Sequence, residues 1–138
     1  MFRYFTISLF SLLLSINFEA NAQDNHIIKS IYFGGGSYLI DGGQIQELYD
    51  LLDSIPDIDQ YLITIHSHTD NIGGAEYNEW LSQQRSFMSI RKLENYGIRS
   101  ELIEIKDFGQ LNPVYDNSTL LGRLRNRRVD VILWPMSL

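Results

Sequence analysis

The chain has 138 residues, 44% hydrophobic and 20% charged, with a formal net charge of −6 at pH 7. That length suits one domain with a modest core and excludes a multidomain enzyme. The acidic balance argues against a general nucleic-acid binder, and the absence of cysteine excludes disulfides, a lipidated cysteine and every thiolate metal site.

Met1 to Ala22 combines a charged start at Arg3, an apolar run from Ile7 to Ile16 and the small-residue pattern Ala20-Asn21-Ala22, which reads as a secretory signal peptide. Residues 23–138 then form the single expected domain. Removing the first 22 residues takes one basic and one acidic side chain, Arg3 and Glu19, so the charge stays at −6. Beyond that segment no apolar run approaches the roughly 20 residues of a membrane helix, and the exported chain is expected to be soluble.

Ile27 to Phe33 is mainly β-branched or aromatic and stops at Gly34-Gly35-Gly36, a strand followed by a turn. Ile45, Leu48, Leu51, Leu52 and Ile55 recur at three- and four-residue spacing, giving an amphipathic helix from about Gly43 to Ser54 that ends before Pro56. Tyr61 to His66 alternates as a second strand, and the polar, glycine-containing Ser67 to Gly74 reads as a loop. A long helix follows from Ala75 to Tyr96, closed by Gly97. Glu101 to Asp107 predicts a short third strand, Phe108 to Ser118 a loop, Thr119 to Arg125 about two helical turns, and Arg127 to Trp134 a last strand. The order implies an α/β fold: a two-layer β-α-β-α-β sandwich, with a further short helix and strand, whose helices cover one face of a small mixed sheet.

On a helical wheel centred on Leu93, Ser82, Ser86 and Ser89 fall within about 60° of the buried direction, where small side chains let the helix sit close to the sheet. Asn78 and Arg85 share one azimuth at the border of that face, about 10.5 Å apart by helical rise. Tyr77, Trp80 and Phe87 fall on the opposite face. Aromatics there suggest either a contact with an envelope protein through Trp80 and Phe87, or cover from the Phe108 to Ser118 loop.

The densest polar cluster is His66-Ser67-His68-Thr69-Asp70-Asn71, at the carboxyl end of a strand, where open sheets form ligand crevices. His66, His68 and Asp70 have the alternation of an H-x-H-x-D metal motif. The only further histidine is His26, so hydrogen-bonding histidines at a loop base are the favoured reading and no metal or other cofactor is expected. No G-x-S-x-G element marks a nucleophile, and Gly34 to Gly36 matches neither a P-loop nor a dinucleotide fingerprint. Asp70 in the loop and Arg85 on the following helix remain as an opposite-charge pair. A carboxylate suits an ammonium and a guanidinium suits a carboxylate, so the pair is either a receptor for a zwitterionic amino-acid head group or a structural salt bridge.

The blocks Thr64 to Gly74 (TIHSHTDNIGG), Asn78 to Arg85 (NEWLSQQR), Tyr96 to Ile98 (YGI), Gly109 to Pro113 (GQLNP) and Gly122 to Val131 (GRLRNRRVDV) resemble, in order and spacing, the OmpA-like domain. The family includes the C-terminal domain of outer-membrane protein A, the peptidoglycan-associated lipoprotein and the periplasmic part of the flagellar stator. The likeness spans about Ile27 to Leu133. It implies non-catalytic binding of peptidoglycan by the free end of diaminopimelate in the stem peptide, in the periplasm and in association with the outer membrane. By the same resemblance Asp70 takes the ammonium and Arg85 the carboxylate, Thr69, Asn78 and Leu81 line the pocket, and Arg127 adds a second cation. Arg127 has the strand parity of Val129 and Val131, toward the helices, whereas Arg128 is expected on the opposite, solvated side. Ser67 stands where many relatives have glycine, and Gly36 where many have a polar residue. These departures predict a stiffer loop and one ligand contact fewer.

Overall fold

The computed structural model describes residues 25–137 except Asn112, with only the backbone of Asp107. The signal segment expected at residues 1–22 lies outside the described residues. Four strands and three helices follow one another as β1 (Ile27–Tyr32), α1 (Gly42–Asp53), β2 (Tyr61–His68), α2 (Ala75–Tyr96), β3 (Ile103–Gly109), α3 (Leu120–Asn126) and β4 (Arg128–Pro135), with single 3-10 turns at Ile58–Gln60 and Ser100–Leu102. The sheet order is β1-β4-β2-β3. β4 runs antiparallel to both neighbours, while β2 and β3 are parallel. This is the expected mixed sheet.

Alternation sorts the strand side chains into two faces. Ile31, Ile63, Ile65, Val129, Val131 and Leu133 are buried and join Leu48 and Leu52 of α1 and Leu93 of α2 in one core. α1 starts at Asp41, whose carboxylate accepts the Gln44 N–H at 3.0 Å, a cap that satisfies one of the free donors of the first turn. Ser82, Ser86 and Ser89 are at most 1% exposed, as the wheel requires for close approach of α2 to the sheet. Gly97, at φ +121, stops α2, and the Gly97 and Ile98 N–H groups return to the Leu93 carbonyl.

Two boundaries differ from the sequence reading in ways that matter for function. β2 continues through Ser67 and His68, because Ser67 is paired on both sides, to Val129 of β4 and Asp107 of β3, and the ladder shifts register only at the Ser67/His68 step. The hydroxyl of Ser67 is buried on the core side. Its backbone is ordinary strand, since Asp57 is the only described non-glycine residue with positive φ, so the serine demands nothing that a glycine would have supplied. β4 begins one residue later than expected, because Arg127 ends α3 with its N–H on the Arg123 carbonyl.

The sheet face away from α1 and α2 is a packed polar surface. Asp130 accepts the Ser30 hydroxyl at 2.6 Å and Arg128 Nε at 3.0 Å, and Trp134 Nε1 donates to Thr64 Oγ1 at 2.9 Å. The Arg128 guanidinium also lies 5.4 Å from the Tyr115 ring centroid. Arg128 is therefore buried, at 6% exposed, not solvated as expected. Parity gave the face correctly, but that face carries its own cover.

Candidate functional site

The C-terminal ends of β1 and β2 lie together beside the start of β4, and the Phe33 N–H closes the corner on the Arg127 carbonyl at 2.9 Å. A cavity of about 220 Å³ opens there, lined by Gly35, Gly36, Asp70, Ile72, Gly73, Tyr77, Asn78, Leu81, Arg85 and Arg127. Five of the six residues expected at the site thus converge on one cavity. The sixth, Thr69, is buried behind the wall, donating its hydroxyl to the Asp70 carbonyl at 2.9 Å while its N–H is tied to Gly109 at 2.7 Å.

The two arginines have different surroundings. Arg85, 1% exposed, donates Nε to Ser37 O at 2.9 Å, one terminal nitrogen to His68 O at 3.2 Å and the other to Gly34 O at 3.1 Å. It lies 4.9 Å from the Phe33 ring centroid. Its planar fork thereby ties α2 to the end of β2 and to the glycine turn after β1, geometry a lysine could not reproduce. Burial brings the guanidinium down from 12.5 to about 10, with Asp70 acting against the shift and Arg127 with it, so the group is still a cation at neutral pH. One N–H on each terminal nitrogen remains for a ligand.

Arg127 holds the carboxylate. Its Nε donates to Asp70 Oδ2 at 2.6 Å, with side-chain exposures of 14% and 9%, while Asp70 Oδ1 accepts the Ile72 N–H at 3.0 Å. The ion pair across the site is therefore Asp70–Arg127, and the direct Asp70–Arg85 salt bridge considered from the sequence is replaced by the three carbonyl contacts of Arg85. The terminal nitrogens of Arg127 lie against Gly35 and hydrogen-bond to no described residue. Asn78 completes this wall: its Nδ2 donates to Gln110 Oε1 at 2.9 Å and to Asp70 O at 3.3 Å, and its Oδ1 is buried without a partner. A buried amide oxygen with an unmet acceptor position is costly, and this one sits beside Gly73 in the cavity wall.

Gly36 has φ +66, a conformation costly for residues with a side chain, and a Cβ there would stand 3.3 Å from the Tyr77 hydroxyl. The Tyr77 hydroxyl thus lies beside the space that a side chain at position 36, where many relatives carry a polar residue, would enter. The wheel had placed Tyr77 outward, but side chains in a first helical turn lean toward the N-terminus, and this one folds back over Gly73 and the cavity rim. Trp80 and Phe87 stay exposed, at 45% and 56%. Trp80 packs beside Tyr77 and Tyr38, not under the segment after β3.

His66 and His68 lie on the far face of the sheet. His68 stacks on Phe108, with centroids 5.2 Å apart. Burial, reinforced by the Arg128 charge and opposed by Asp130, pulls it down from 6.5 to about 4. Among the described residues no three His, Asp or Glu side chains converge as metal ligands would.

The profile of the OmpA family matches residues 32–127. Over 77 residues the chain is 38% identical to the outer-membrane lipoprotein YfiB of Pseudomonas aeruginosa, covering 56% of this chain and 45% of that one. Over 89 residues it is 33% identical to the peptidoglycan-binding protein ArfA of Mycobacterium tuberculosis, covering 64% of this chain and 26% of that one. The chain thus spans less than half the length of these relatives. Among solved structures, the peptidoglycan-associated lipoprotein of Burkholderia pseudomallei superposes with a TM-score of 0.66 at 29% identity, covering 76% of this chain and 89% of that one. The periplasmic domain of MotB from Helicobacter pylori, at 18% identity and a TM-score of 0.65, shares the fold, over 80% of this chain and 76% of that one.

Proposed function

The chain belongs to the OmpA family, and on that premise we propose that it binds peptidoglycan without covalent chemistry, by the free ammonium and carboxylate at the end of the diaminopimelate side chain. The observation that carries this reading is the convergence of one carboxylate and two guanidiniums, all nearly desolvated, on a single cavity. Asp70 would exchange its Arg127 partner for the ligand ammonium. The carboxylate would then meet the unused N–H groups of Arg85 together with the terminal nitrogens that Arg127 already turns to the cavity. Asn78 Oδ1 would become a further acceptor for the ammonium once the wall at Gly73 shifts to uncover it, Leu81 gives an apolar floor, and Thr69 holds the Asp70 backbone.

Residues 1–22 direct export in this reading, and residues 23–138 act in the periplasm near the outer membrane, in keeping with the name of the relative YfiB. The experiment is co-sedimentation of the purified protein with peptidoglycan sacculi. Pelleting that free diaminopimelate competes away is expected, and pelleting indifferent to diaminopimelate would defeat the assignment. A contact with an envelope protein, expected through Trp80 and Phe87, has support at Phe87, which opens on a groove of about 500 Å³ with Ile90 and Ile105. Phe87→Ser is expected to leave sacculus binding within a few-fold of wild type.

A further inference from the structure

Tyr77, Trp80 and Tyr38 form a continuous aromatic ledge that begins at the cavity. Tyr77 lines the cavity itself. One helical turn on, the Trp80 ring lies 5.8 Å from it, tilted by 31°, and Tyr38 meets Trp80 edge-on at 6.0 Å. Tyr77 and Trp80 are each 45% exposed. The two tyrosine hydroxyls and Trp80 Nε1 hydrogen-bond to no described residue. Single exposed aromatics are ordinary surface, but two exposed rings in contact, Tyr77 and Trp80, backed by the half-buried Tyr38 edge-on to Trp80, with unpaired polar edges, make a surface for a ligand that is apolar on one side and hydroxylated at its rim. A pyranose ring has that character, with C–H bonds on its faces and hydroxyl or acetamide groups around its edge.

We propose that this ledge holds an N-acetylated sugar of the glycan strand to which the bound stem peptide is attached; the assignment rests on the peptidoglycan reading of the cavity. Reach favours this occupant. Two residues separate diaminopimelate from the sugar-linked end of the stem, and two to three extended residues span about 7–11 Å, the same scale as the ring-to-ring steps of 5.8 and 6.0 Å by which the ledge leaves the cavity rim at Tyr77. A sugar tethered at that distance meets the ledge at high effective concentration, so even a weak stacking contact adds to the affinity of the whole.

The test is titration calorimetry with three soluble probes: a diaminopimelate-containing stem tetrapeptide, the same peptide carrying its disaccharide, and the disaccharide alone. The wild-type protein should bind the disaccharide-peptide about five- to tenfold more tightly than the bare peptide. Trp80→Ala and Tyr38→Ala should erase that difference while leaving bare-peptide affinity within twofold and the melting temperature unchanged. Equal affinity of the wild type for both peptides would overturn the ledge and return Trp80 to the protein-contact reading, with the cavity assignment intact. Binding of the disaccharide alone, with the bare peptide failing to bind, would instead support the ledge and remove the cavity assignment.

Discussion

A guanidinium that is 1% exposed costs folding free energy unless its donors are met, and the three carbonyls on Arg85 meet three of five. Arg85→Ala would therefore lower stability and ligand affinity together, and its binding defect is interpretable only beside a melting curve. Asp70→Ala is read beside the same melting curve, because its carboxylate is also buried in an ion pair. It leaves Arg127 and Arg85 without a counter-charge and removes the ammonium receptor, a loss on the order of 2–5 kcal/mol, so sacculus binding should fall at least tenfold in co-sedimentation. Unchanged binding would return the pair to a structural role. His68 gives a separate prediction about stability. Its folded pKa of about 4 lies below the ordinary 6.5, so the unfolded chain binds this proton more readily. Its contribution is complete above about pH 6.5 and is lost as pH falls toward 4. His68→Phe keeps the stack on Phe108 and removes the titration. Melting temperatures between pH 6.5 and 4 should fall less steeply in the variant than in wild type, and parallel slopes would refute this role.

At the scale of the elements, most of the fold was legible. The 22 residues of α2 announce themselves by period, and the serine stripe announces their close packing on the sheet. What periodicity could not show is where a side chain goes at an element's end. Tyr77 has an outward azimuth and still roofs the cavity, because it leans off the first turn. Arg128 has the expected parity, yet alternation gives a face and says nothing of whether that face is wet, which here depends on Asp130 and Tyr115. α3 also carries more than its 7 residues suggest, since its C-terminus delivers Arg127 to Asp70. A Cβ on Gly122 would stand 1.7 Å from the Asp116 carbonyl oxygen, so that backbone must move to admit one. Gly122→Ala should destabilise by roughly 1–3 kcal/mol, visible as a melting temperature lower by several degrees. It should also weaken sacculus binding through displacement of Arg127. A variant with wild-type melting and binding would show that α3 does not set the site.

For the molecule as a whole, the cavity is assembled from the turn after β1, the loop after β2, the N-terminal half of α2 and the end of α3. Spacing alone paired Asp70 with Arg85, because they are near in sequence. The partner that holds Asp70 is Arg127, 57 positions away, and it is reached only because β4 inserts between β1 and β2. Such a contact follows from strand order, which local pattern does not encode, and the family resemblance alone placed Arg127 at the site. The central claim is that this assembly reads both charges of one head group. The direct measurement is calorimetric titration of the wild-type protein with two stem peptides that differ only in diaminopimelate or lysine at the third position. Lysine keeps the ammonium for Asp70 and lacks the carboxylate for Arg85 and Arg127. The diaminopimelate peptide should bind at least tenfold more tightly, about 1.4 kcal/mol or more, whereas equal affinity for the two peptides would contradict recognition of the carboxylate.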